Sequence, residues 1–355
     1  MRKNIFTTLA AAVSLLSVAQ AQVTETPATL ALEAGGNPAG FVQGANDQGI
    51  IFSTAAGGRG QLVEYSKIRG EGLDKVIRFS ERAESLAQAR ALFAAGEFDA
   101  AAAAFGVVAQ NYSIILASPK NFASEAMFYQ LESIRRAGKY ALLPPLIASA
   151  AAESIEKSLG EPFAGMFQFQ KLYALLAEKN FDELASAIAA YEEPVVGEAK
   201  LLSAPNFKPL PATELADLSY LRGKVYEAAG EKGKALNDFY SAVTLAFGND
   251  AISAKLAMGA AMVIQKSDPL LASENRLAIA EMQSLAYMFG KRFGTDGMPA
   301  AFKEYAVRPP MVRPPAPAPK EEPAAAESAP EAAPAEAGKA APKEGAKGEK
   351  GKKKK

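Results

Sequence analysis

Ser154 and Lys157 stand three residues apart, a spacing that puts both side chains on one face of a helix. A lysine placed there could take the serine proton and make it a nucleophile. The S-D-N and K-T-G elements that accompany such a pair in serine enzymes are absent, so the pair is expected on an ordinary surface helix. Gly57-Gly58-Arg59-Gly60 and Gly70-Glu71-Gly72 are the glycine clusters that could cradle a phosphate. Neither carries G-x-x-x-x-G-K-[ST], and the first lies between strand-like runs instead of opening a helix; both are expected to be turns. Glu192 and Glu193 are adjacent, and adjacent residues on a helix do not face each other, so they make no paired-carboxylate site. Phe163, Phe167, Phe169 and Tyr173 could line a groove, but at these spacings they are expected in a core.

The chain of 355 residues contains no His and no Cys. Catalysis most often recruits an imidazole as acid or base, so the composition points away from an enzyme. A zinc site would have only carboxylates and waters to draw on, and no cofactor or metal is expected. Disulfides are excluded, which leaves core packing or assembly to supply stability.

The elements that would position any site begin with "MRKNIFTTLAAAVSLLSVAQAQ". Arg2 and Lys3 precede an apolar run from Ile5 to Val18, and Ala19-Gln20-Ala21 offers small residues for cleavage. Residues 1–21 are expected to be a secretory signal peptide, because the run is short for a membrane span and ends in A-x-A. The protein is therefore expected to be exported, periplasmic or secreted, and soluble after cleavage. In residues 22–75, "TLALEA", "AGFVQGA", "GIIFSTA" and "QLVEYSKIRG" are short β-rich runs separated by Gly and Asn turn chemistry. This pattern resembles SH3-like and Sm-like barrels, a small curled β unit that would pack on the helices after it.

From residue 80 to 306 the hydrophobic period becomes helical. Gly223, Tyr226, Gly230, Ala235, Phe239 and Ala242 place a small residue, an aromatic, a turn glycine, a small residue, an aromatic and a small residue in order. Ala89, Gly96, Phe98, Ala101 and Phe105 repeat the frame, Gly138 and Tyr140 repeat part of it, and Lys179 occupies a fourth turn position. The frame resembles that of tetratricopeptide-repeat proteins. One departure is Lys232, where the family usually has an aromatic, and Pro144-Pro145 should shift or kink one second helix. The turns at 96, 138, 179 and 230 are 42, 41 and 51 residues apart, longer than the family period of about 34.

The resemblance implies a mainly α chain, a solenoid of helix hairpins with a concave surface that binds another protein or peptide. The frame residues would build the wall, and contacts would come from an exposed inner face of the first helices, with Tyr220, Lys224 and Glu227 as candidates.

Residues 307–355 are rich in Pro, Ala, Glu and Lys, a composition expected to be disordered. Residues 308–355 hold eleven basic and seven acidic side chains, a net +4, against −6 for the remainder once Arg2 and Lys3 are removed with the signal. Lys352, Lys353, Lys354 and Lys355 could bind an anionic envelope polymer or a membrane surface. No aromatic interleaves these lysines for base stacking, which argues against nucleic acid. The expected function is thus an exported, non-catalytic interaction scaffold. The alternative is an envelope structural protein that self-assembles and attaches through its lysine-rich tail.

Overall fold

The computed structural model describes residues 25–68, 77–79, 82–199, 210–246, 251–268 and 276–307. The expected signal peptide, Gly70-Glu71-Gly72 and the terminal lysines Lys352 to Lys355 lie outside these residues.

The N-terminal strands are β1 (Thr26–Leu30), β2 (Ala39–Ala45), β3 (Gly49–Ser53), β4 (Gln61–Glu64) and β5 (Ile77–Phe79). They form one antiparallel sheet in the order β4-β3-β2-β1-β5. Asn46 closes the β2–β3 turn by accepting from the backbone N–H groups of Gln48 and Gly49, each at 2.9 Å. Beyond β4 the chain returns to the end of β1, where Leu32 bridges to Ile68 and Glu33 N–H donates to the Lys67 carbonyl at 2.9 Å. That return curls the sheet. β5 lies beyond the expected boundary at residue 75, because a three-residue strand is too short to show alternation in sequence.

Leu30, Val42, Ile50, Phe52 and Ile68 form the buried face of the sheet and share a core with the helices. The 3₁₀ turn Ser113–Ile115 packs on β2. Tyr65 donates to the Asn46 carbonyl at 2.8 Å and sits 2.8 Å from Ser118 Oγ, which can donate back. Sheet and helices therefore form one compact unit rather than separate bodies.

The helices are α1 (Arg82–Ala94), α2 (Phe98–Asn111), α3 (Phe122–Arg136), α4 (Leu143–Ile147), α5 (Ala150–Leu159) and α6 (Phe163–Glu178). They continue with α7 (Phe181–Ala199), α8 (Ala212–Ala228), α9 (Lys232–Ala246), α10 (Ala251–Ser267) and α11 (Arg276–Phe293), against which the 3₁₀ segment Ala300–Ala306 packs.

Four helices, α1, α3, α6 and α8, end in the same way. Gly96, Gly138 and Gly230 take left-handed φ of 78°, 71° and 77°, and Lys179 takes 58°. In each case the left-handed residue donates its N–H to the carbonyl three residues back, and the next residue donates to the carbonyl five back: Gly96 to Phe93 and Glu97 to Leu92, for example, and Lys179 to Leu176 and Asn180 to Leu175. Paired bonds of this kind satisfy carbonyls that a helix end otherwise leaves free.

The frame residues Ala89, Ala101, Phe105, Ala235, Phe239 and Ala242 are fully buried, while Phe98, Tyr140 and Tyr226 are half-buried. Gly223 is required by close packing: a Cβ there would lie 2.6 Å from Phe239 Cε1. First helices also touch in series, α3 on α6, α6 on α8 and α8 on α10.

The segment after Gly138 departs from a simple hairpin as Pro144 and Pro145 suggest. A 3₁₀ turn, Tyr140–Leu142, leads into α4, whose early prolines suit a helix start. Ser149 then caps a new helix by accepting from Ala152 N–H at 3.3 Å. Two short helices stand where one long helix would complete the hairpin.

Candidate functional site

Charged groups converge where the first helices meet. Arg135, on α3, donates from Nε and Nη2 to the two oxygens of Glu132, each at 2.8 Å. Its Nη1 reaches both oxygens of Asp217 on α8, at 3.2 and 3.3 Å. Asp217 also accepts from Tyr173 on α6 at 2.6 Å and from Ser253 on α10 at 2.7 Å. Arg136 donates to Glu132 at 2.7 Å, so two carboxylates meet two guanidinium groups. Glu132, Arg135 and Asp217 are 4%, 7% and 6% exposed. Four helices distant in sequence are thereby joined by one electroneutral cluster.

Burial favours the neutral form of Glu132, but the charges of Arg135 and Arg136 and their hydrogen bonds outweigh it and hold the carboxyl down at about 2. Burial similarly works against the Arg135 cation, yet Glu132 and Asp217 raise its pKa further above the ordinary guanidinium value. Burial, reinforced by the Asp217 charge, pushes the Tyr173 hydroxyl well up. Glu132, Arg135 and Tyr173 hold their charge states around neutral pH, which suits a structural clamp more than proton transfer. The Arg135 guanidinium also lies 5.2 Å from the centre of the Tyr173 ring, and Tyr173 stacks with Tyr220 at 6.3 Å.

This closure corrects the expected contact surface. Tyr220, expected on an open inner face, is buried between Tyr173 and Phe239. α3 and α8 approach closely enough for Arg135 and Asp217 to form a direct ion pair. Lys224 and Glu227 are half-buried and form an ion pair with each other across one turn of α8.

The remaining sequence candidates fall into place individually. Ser154 is buried, with its hydroxyl 2.6 Å from Ser124 Oγ and donating to the Ala151 carbonyl. Lys157 points to solvent and pairs with Glu153, so the two are not brought together as nucleophile and base. The Gly57 N–H is already engaged by the Glu25 carboxylate, at 3.0 Å, and the Gly58 carbonyl accepts from Gln43. Glu192 is paired with Arg222, which also binds Asp238 on α9, while Glu193 is exposed. Phe167, Phe169 and Tyr173 are core residues as expected, and Phe163 is half-buried. Among the described residues no group of His, Cys, Asp or Glu gathers as a metal site, and no helix is long and apolar enough to cross a membrane.

A cleft of about 610 Å³ lies between α4, α6 and α7. Pro144, Ile147, Leu172, Leu175, Ala187 and Ala190 form its apolar lining, and Gln168, Lys171, Glu178 and Glu183 contribute polar groups. It exists because α4 stops at Ile147 and the chain turns away into α5, leaving part of the α6–α7 surface uncovered. Its size falls within the range of about 300–1,000 Å³ common for ligand sites.

Sequence reasoning passed over Glu132, Arg135, Asp217 and Ser253. Asp217 carried one usable signal: it shares a helical face with Tyr220 and Lys224, at spacings of three and seven. Compared with protein-family models, curated proteins and solved structures, the chain matches none of them.

Proposed function

We propose that the protein is an exported, non-catalytic scaffold whose tetratricopeptide-like solenoid holds another protein or peptide in the cell envelope. The observation that carries this reading is the recurrence of one helix ending at Gly96, Gly138, Lys179 and Gly230, combined with small and aromatic frame residues packed between helices. A unit repeated in this way stacks its neighbours into an extended surface, and such surfaces serve recognition. The α4–α6–α7 cleft is the contact site in this reading, since the inner face around Tyr220 is occupied by the chain itself. Export rests on the character of residues 1–21.

The test places a photo-crosslinking amino acid at Ser186, exposed on α7 beside the cleft, and separately at Lys224, in full-length protein within living cells. Discrete adducts to a different protein are expected from Ser186 and none from Lys224. Adducts only to second copies of the chain would move the self-assembling envelope protein ahead, and absence of protein adducts from both positions would sink the scaffold reading.

A further inference from the structure

The cleft between α4, α6 and α7 has a charge pattern that narrows what can occupy it. Lys171 is its one basic lining residue, and its ammonium is already paired with Glu156 at 2.6 Å. Gln168 donates to the same carboxylate at 2.7 Å, fixing this end of the cleft to α5. Glu178 has no ion-pair or hydrogen-bond partner among the described residues, and Glu183 accepts only from the neutral amide of Asn180. Two carboxylates are therefore left uncompensated beside a lining of Ile147, Leu172, Leu175 and Ala187. Tyr191, also in the lining, directs its hydroxyl to Glu214 at 3.1 Å and is not free to bind an anion.

We propose that this cleft takes a segment of a partner protein presenting a leucine-sized side chain with a lysine or arginine two to four residues away. The inference rests on the scaffold reading and adds the chemistry of the partner. The apolar side chain fills the space left by the interrupted helix and removes surface from water. The basic residue lays its aliphatic stem along the lining and brings its charge to Glu178 and Glu183. An acidic segment meets repulsion at the same place, so charge sets the choice between partners that share an apolar anchor.

The experiment uses full-length mature protein and three fluorescein-labelled nonapeptides with a common Leu-x-x-Leu anchor, flanked by lysines, serines or glutamates. Binding is read by fluorescence anisotropy. The lysine peptide is expected to bind about tenfold tighter than the serine peptide at low salt, with the advantage shrinking at high salt as screening grows. The glutamate peptide is expected to bind weakest. The double substitution Glu178→Gln/Glu183→Gln should equalise the lysine and serine peptides. Ala190→Phe, which fills the cleft from an exposed position, should abolish binding of both; circular dichroism checks that each variant folds. Equal affinity of the lysine and serine peptides for the unaltered protein, with both lost on Ala190→Phe, overturns the basic partner and leaves the cleft reading standing. No binding by any peptide, or binding indifferent to Ala190→Phe, overturns both.

Discussion

Replacing Asp217 by Asn changes the centre of the helical body with almost no change in volume. The native carboxylate accepts from Arg135 at 3.2 and 3.3 Å, Tyr173 at 2.6 Å and Ser253 at 2.7 Å. An amide retains one accepting oxygen but turns an NH₂ toward groups that are themselves donors. Arg135 then has only Glu132 for charge compensation, and Glu132 is shared with Arg136. Hydrogen bonds to charged groups contribute about 1.5–3 kcal/mol each, and breaking a buried ion pair costs about 3–5 kcal/mol. Because the amide keeps one acceptor, we expect the low end of that range, about 3 kcal/mol. With a urea slope of about 3 kcal/mol/M, the midpoint should fall by about 1 M. The chain has no Trp and 11 Tyr, so tyrosine fluorescence and far-ultraviolet circular dichroism are the natural probes. Both should shift together, since the cluster joins α3, α6, α8 and α10. Lys157→Ala, at an exposed ion pair, is the control and should stay within about 0.5 kcal/mol. The cost of Arg135→Met should also be smaller in the Asp217→Asn background than in the parent. A midpoint for Asp217→Asn indistinguishable from the Lys157→Ala control would refute the claim that this cluster clamps the helices.

Lys179→Gly should raise stability by about 0.5–1 kcal/mol, because a left-handed backbone costs a side-chain-bearing residue about 1–2 kcal/mol while glycine loses part of that gain in unfolded-chain entropy. A thermal melt should show an increase of roughly 2 °C, and a decrease would show that Lys179 gains something from its side chain. Gly223→Ala should destabilise by about 1–3 kcal/mol, since its methyl would press on the buried Phe239 ring; an unchanged urea midpoint would mean that the two helices separate without cost. The depressed pKa of Glu132 stabilises the fold above pH 4.5, and that contribution is lost as pH falls through about 2. The interval is worth about 3 kcal/mol. Urea midpoints taken from pH 5 down to pH 2 should decline, and Glu132→Gln should flatten the decline; an equal slope in both proteins would exclude Glu132 as its source.

What the sequence determined by itself is local. Gly96, Gly138 and Gly230 were legible as helix ends because a left-handed residue is a requirement of a few neighbouring bonds. Lys179 could be placed only through its position in the repeated frame, since its own residue type argues against that backbone. The interruption at Pro144-Pro145 and the early strands also followed from chemistry carried within a few residues. Tertiary structure decided what faces what. Arg135 and Asp217 are 82 residues apart, and helical periodicity reports which side of a helix each occupies without reporting how closely those two helices approach. That distance buried Tyr220 and turned an expected binding face into a clamp. The cleft has the same origin: it depends on where α5 goes after Ile147, a consequence of how all the surrounding helices pack.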